Sequence, residues 1–129
     1  MSEILVPVAP GELLDKITIL RIKAARIADP GKLANVTHEL ALLEETWRLA
    51  VRAGIDVKRE ELELARVNEA LWEIEDAIRD KEAAQRFDAE VVELARSVSR
   101  RNDERAAIKR RVNLALGSAL VEEKSYRPY

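Results

Sequence analysis

The sequence predicts an all-α protein, an antiparallel bundle of four helices with an extended N-terminal arm and an irregular C-terminal tail. Three observations carry this reading. All four glycines (Gly11, Gly31, Gly54, Gly117) and all four prolines (Pro7, Pro10, Pro30, Pro128) fall between or outside long helix-favouring stretches. Both residue types disfavour helix interiors, by roughly 1 and 3 kcal/mol relative to alanine. Within the stretches, apolar residues recur at helical spacings. The connections are short, which forces neighbouring helices to run antiparallel.

Residues 3–8 (EILVPV) are apolar and interrupted by Pro7, as in an extended arm or an edge strand. The first helix is expected over about 11–28, with an apolar stripe of Leu13, Ile17, Leu20, Ala24 and Ile27. Leu14, Ile19 and Ile22 lie off that stripe, so this helix should be contacted on two sides. The second, over about 30–53, has Asp29 at the N-cap and Pro30 at the first helical position. Its stripe is Leu33, Val36, Leu40, Leu43, Trp47 and Ala50, and Gly54 is placed to end it. The third, over about 57–84, carries Leu64, Val67, Leu71, Ile74 and Ile78. The fourth, over about 88–116, is capped by Asp88 and ends at Gly117. The tail SALVEEKSYRPY has no helical period and is expected to lie back on the bundle or on a partner. With no repeat, linker or low-complexity tract, residues 1–129 form a single domain.

The stripe of the fourth helix is broken. It begins with Val91, Leu94, Ala95 and Val98 and resumes with Ile108, Val112 and Leu116. Between them the inward positions are Arg101, Asn102 and Arg105. Buried polar and charged groups need partners. An antiparallel hairpin of helices three and four pairs positions that sum to roughly 172. That places Asn102 and Arg105 near Val67, Asn68, Glu69 and Trp72, and Arg100 near Trp72 and Glu75. Charge agrees: residues 59–82 hold nine acids and four bases, residues 99–113 six bases and two acids. Two readings follow. These charges form an interhelical ion-pair ladder that fixes register. Alternatively, Asn68, Trp72, Glu75, Asn102, Arg105 and Lys109 line a polar pocket for a carboxylate or phosphate, for which arginine is suited.

Composition excludes much else. There is no cysteine, hence no disulfide, thiolate chemistry or Cys-based metal site. The one histidine, His38, reads as an exposed helix residue. Glu69, Glu73 and Asp76 share a helix face, but no second carboxylate-rich helix faces them, so a solvated acidic face is expected and no metal site. No glycine-rich phosphate loop is present, and no cofactor is expected. The net charge of −2 argues against nucleic acid, although Arg100, Arg101, Arg105, Lys109, Arg110 and Arg111 cluster. No apolar run approaches the roughly 20 residues of a membrane span. No signal peptide is seen, so a cytoplasmic location is expected.

The strings PGELLDKITILRIK (10–23), KLANV (32–36), VNEALWEIED (67–76), FDAEVVELARSV (87–98), RNDERAAIKRRVN (101–113) and LVEEKSY (120–126) are spread over nearly the whole chain. Together they resemble a small bacterial and phage helical family of unknown function. Its members share a GEL-x-DKITIL-x-IK start, an NEALWxIED centre and an LVEEKSY end. The resemblance implies no activity. It implies an association with glycosyltransferase genes, and so with surface-polysaccharide work. It also draws attention to Asp15, Lys16, Asn68, Trp72, Glu75, Asp76, Asn102, Arg105, Lys109, Asn113, Glu122, Glu123 and Lys124, which lie inside these strings.

The expected function is therefore a helical binding or adaptor module acting through its surface and EEKSY tail. The alternative is a small enzyme or sensor that takes an anionic metabolite between helices three and four. Whether the chain is an enzyme stays open at this level. Only five aromatic residues make a slim core, and the extra apolar face of the first helix points to a homodimer.

Overall fold

The computed structural model describes residues 3–51 and 53–129. Four helices follow one another: α1 (Pro10–Arg26), α2 (Pro30–Ala50), α3 (Lys58–Ala83) and α4 (Ala89–Ala115). The described residues contain no strand, so the arm is extended chain rather than an edge strand. The fold is the expected all-α arrangement of four helices. Its boundaries differ from expectation by at most three residues; α2 stops at Ala50 instead of reaching 53, and residue 52 of that expected stretch lies outside the described residues.

Local chemistry explains the ends. The Asp29 carboxylate accepts from the Lys32 amide at 2.9 Å, with Pro30 opening α2 behind it. Asp88 does the same for Val91 at the start of α4. The C-termini of α3 and α4 close in the same way. Arg86 N–H donates to the Lys81 carbonyl and Ser118 N–H to the Asn113 carbonyl, across a left-handed residue. That residue is Gly117 (φ +64°) in α4, where glycine is suited, and Gln85 (φ +54°) in α3.

The helices do not close into a symmetric square. α3 and α4 form a long antiparallel hairpin, with Glu63 paired to Arg111 near one end and Lys81 to Asp88 near the turn. α1 lies across the open end of that hairpin and also carries α2, which among the helices packs on α1 alone. The core sits where α1, α3 and α4 meet: Leu14, Val57, Leu64, Val67, Ile108 and Val112, with Trp47, Ile55, Leu71 and Leu116 packed against it. Each fully buried aliphatic side chain contributes roughly 1.5–3 kcal/mol by leaving water. No residue of α2 is buried; its stripe Leu33, Val36, Leu40, Leu43 and Trp47 is half-buried against α1.

This placement revises the expectation of a homodimer built on α1. Leu14 and Ile22 are buried within the chain and Ile19 is half-buried, because α1 has neighbours of its own chain on both sides. The face thought to need a second copy is already covered. Apolar residues left in solvent include Ile4, Leu5 and Val6 of the arm, at 64–88% exposure, and, outside the arm, Leu49, Leu62, Phe87, Val92 and Leu114. Val8 stands beside Leu116 and Gly117 at an apolar groove of about 560 Å³, whereas the tail runs away along α4.

Gly11 marks the closest approach of two helices. A Cβ there would collide with the Lys109 carbonyl and come within 2.8 Å of Asn113 Oδ1. At Gly31 it would meet nothing nearer than Asp29 Oδ2 at 3.4 Å. Gly11→Ala is therefore expected to lower the unfolding free energy by about 1–3 kcal/mol in urea titrations. Gly31→Ala, measured in the same way, should be neutral or stabilise by up to about 1 kcal/mol.

Candidate functional site

The polar break in α4 faces α1. Three residues of α1, Gly11, Glu12 and Asp15, meet Asn113, Lys109 and Arg105, spaced four apart on α4, and Thr18 continues the row toward α3. The partners pair as Gly11 with Asn113, Glu12 with Lys109 and Asp15 with Arg105, so the two helices run in opposite directions. α3 adds Asn68 and the tail adds Glu122.

At the centre is Asp15, 1% exposed. The Arg105 guanidinium grips it through two bonds, Nε to Oδ1 at 2.9 Å and Nη2 to Oδ2 at 2.5 Å. This fork-to-carboxylate geometry is the strongest kind of side-chain pairing. Asn68 Nδ2 uses both of its protons, one on Asp15 Oδ1 and one on Thr18 Oγ1, each at 2.9 Å. The Thr18 hydroxyl in turn donates to the Asp15 carbonyl at 2.7 Å. One turn further, the Lys109 ammonium lies between Glu12 at 2.6 Å and Glu122 at 2.8 Å. At the end of the row, Asn113 Oδ1 accepts from the Gly11 amide at 2.7 Å. α1 has no side-chain cap of its own at Ala9, so a residue of α4 satisfies one of its unpaired first-turn amides.

The network is closed. Among the described residues, no buried side-chain nitrogen or oxygen lacks a hydrogen-bond partner. Hydrogen bonding to Asp15 holds the Arg105 pKa above its ordinary value against the opposing effect of burial. For Lys109, burial pulls the pKa down, but the bonds to Glu12 and Glu122 together raise it.

The residues singled out from the sequence are only partly gathered here. Asn68, Arg105 and Lys109 belong to the network. Asn102 lies one turn away on α4 and borders a groove beneath the tail. Trp72 faces elsewhere, with the Arg26 guanidinium 5.6 Å from its ring centre. Glu75 is exposed and pairs with Arg79 on its own helix at 3.2 Å. The carboxylate that holds Arg105 comes from α1, not from the acidic face of α3. On that face Glu69 and Glu73 both accept from Arg26. Gly11, Glu12 and Thr18 were not singled out as site residues; the spacing of Gly11, Asp15 and Thr18 beside the Leu14–Ile17 stripe was the available signal.

Two outcomes follow from this geometry. Asp15→Asn and Arg105→Met each leave a partner buried without its counter-charge, and each should lower the unfolding free energy by about 3–5 kcal/mol in urea. The double variant Asp15→Leu/Arg105→Met should lose less than the sum of the singles. The pH dependence follows Lys109. Its folded pKa exceeds the unfolded value, so its contribution is full below about pH 10.4 and is lost as the pH rises through the folded value. Urea midpoints should fall above that pH more steeply in the parent than in Lys109→Met.

No curated protein and no solved structure matches the chain. A family profile does, over residues 4–128, a span that holds the whole network. The chain belongs to that family, described as a family of unknown function (DUF6165).

Proposed function

We propose that this chain is a non-enzymatic helical binding module that engages a protein partner through its outer surface and its terminal segments. One observation carries this reading. The cations at the junction of α1 and α4, Arg105 and Lys109, are already engaged by carboxylates of the same chain, Asp15, Glu12 and Glu122. A closed network of this kind sets helix register and leaves no unpaired group to bind or activate a substrate. The exposed apolar arm, Ile4, Leu5 and Val6, supports a protein partner, and a second copy of the chain is among the partners it suits. No helix is long and apolar enough to cross a membrane, which is compatible with a cytoplasmic module. The gene association that the sequence resemblance implies favours a supporting role in surface-polysaccharide systems over a catalytic one.

A second reading, a sensor for an anionic metabolite, draws on two observations. The Arg105 side chain keeps 29% of its exposure, and Asn102 borders an open groove. Thermal denaturation separates the two. With phosphate, sulfate, citrate and succinate at millimolar concentration, the binding-module reading expects no rise in Tm. A rise that Arg105→Gln abolishes would overturn it in favour of the sensor.

A further inference from the structure

The segment after Gly117 doubles back along α4. Glu122 reaches Lys109, Glu123 reaches Arg110 at 3.3 Å, and the Tyr129 hydroxyl donates to Asp103. From Glu122 and Glu123 to Tyr129 the partners on α4 step back from residues 109 and 110 to 103, so the tail runs antiparallel to the helix. All three anchors join side chain to side chain. Among the described residues, no backbone–backbone hydrogen bond ties residues 119–129 to a helix.

The tail is also poorly packed. A space of about 900 Å³ opens between it and α4, bordered by Asn102, Glu122, Tyr126 and Arg127. Protein interiors are close-packed, and a segment belonging to the core leaves no such gap. Tyr126 and Tyr129 are each 82% exposed. Beneath this loose segment lies a demanding group: the Lys109 side chain is 8% exposed and bridges Glu12 of α1 to Glu122 of the tail. Glu12 is held in place by the helix it belongs to. The position of Glu122 depends on the tail, and when the tail lifts, a nine-tenths-buried ammonium loses one of its two carboxylates.

We propose that this face of α4 is a docking track for an extended acidic segment of a protein partner, covered in the free chain by residues 118–129 acting as a releasable strap. Glu122 and Glu123 occupy the positions of the partner's carboxylates on Lys109 and Arg110. Gly117, in the left-handed conformation, and Ser118 form the hinge. The proposal rests on the binding-module reading and names the chemistry of the partner. An acidic segment fits because the tail groups that reach Lys109 and Arg110 are both carboxylates.

The test uses the full chain and a fluorescein-labelled peptide with the sequence of residues 118–129. Glu122→Gln/Glu123→Gln loosens the strap at two side chains that are 44% and 74% exposed, and circular dichroism checks that the fold persists. Fluorescence anisotropy is expected to show the peptide binding this variant about ten-fold more tightly than the parent chain, the change set by two weakened ion pairs. Binding should weaken in ~0.5 M salt, in Arg110→Gln, and when both peptide glutamates are replaced by glutamine. Equal affinity for parent and variant would overturn the proposal, as would indifference to the peptide's glutamates. Competition by citrate as effective as that by unlabelled peptide would overturn it in favour of a small anion. A parent chain that light scattering finds dimeric, and that Glu122→Gln/Glu123→Gln renders monomeric, would replace the foreign segment with the tail of a second copy. None of these failures alters the anion titrations that test the binding-module reading itself.

Discussion

The salt bridge between Asp15 and Arg105 organises this molecule. A carboxylate 1% exposed to solvent is placed on α1, and a guanidinium on α4 reaches it with both arms of its fork. Neither charge is tolerable alone in that position, because desolvation of an unpaired ion costs several kcal/mol. Each therefore dictates where the other must be. Set 90 positions apart in the chain, the pair specifies how the first helix lies on the last. Asn68 donates both to that carboxylate and to Thr18 Oγ1, and so brings α3 into the same junction.

The packing around that junction follows from it. α1 touches every other helix, so the polar row on its inward face must be matched exclusively by groups of its own chain. Gly11 allows the helix backbones to approach closely enough for Asn113 to cap the α1 amide, and Lys109 joins Glu12 one turn along. The apolar cluster of Leu14, Leu64, Val67, Ile108 and Val112 lies beside this row. Apolar burial supplies most of the driving force, while the directional polar contacts select one register among several that apolar contact alone would permit. α2 takes no share in this junction beyond Trp47, which is why it is attached as a flank with no buried residue.

Much of the candidate site could be read from the interrupted stripe of α4. Arg105 and Asn102 fall where an apolar residue is due, and that irregularity is visible in one dimension. The identity of the partner was not. Charge totals pointed to α3, whose acids are numerous, yet Glu69 and Glu73 face Arg26 and Glu75 faces Arg79. Net charge along a helix averages over all of its faces, whereas a buried ion responds to the single carboxylate within reach. Trp72, placed near Arg105 by the expected hairpin register, stands apart from the network, beneath Arg26.

Helix number, helix ends and the loop positions were determined by the sequence alone. These depend on local chemistry: Asp29 with Pro30, Asp88 at its cap, Gly117 at a left-handed position, and apolar spacing of three and four. The centrality of α1, the meeting of Asp15 with Arg105, and the return of the tail onto Lys109 were decided only by the tertiary structure. Each joins residues about 90 or 13 positions apart through side chains whose partners are chosen by proximity in space. Periodicity reports which face of a helix avoids water; which neighbour covers that face is settled when the helices pack together.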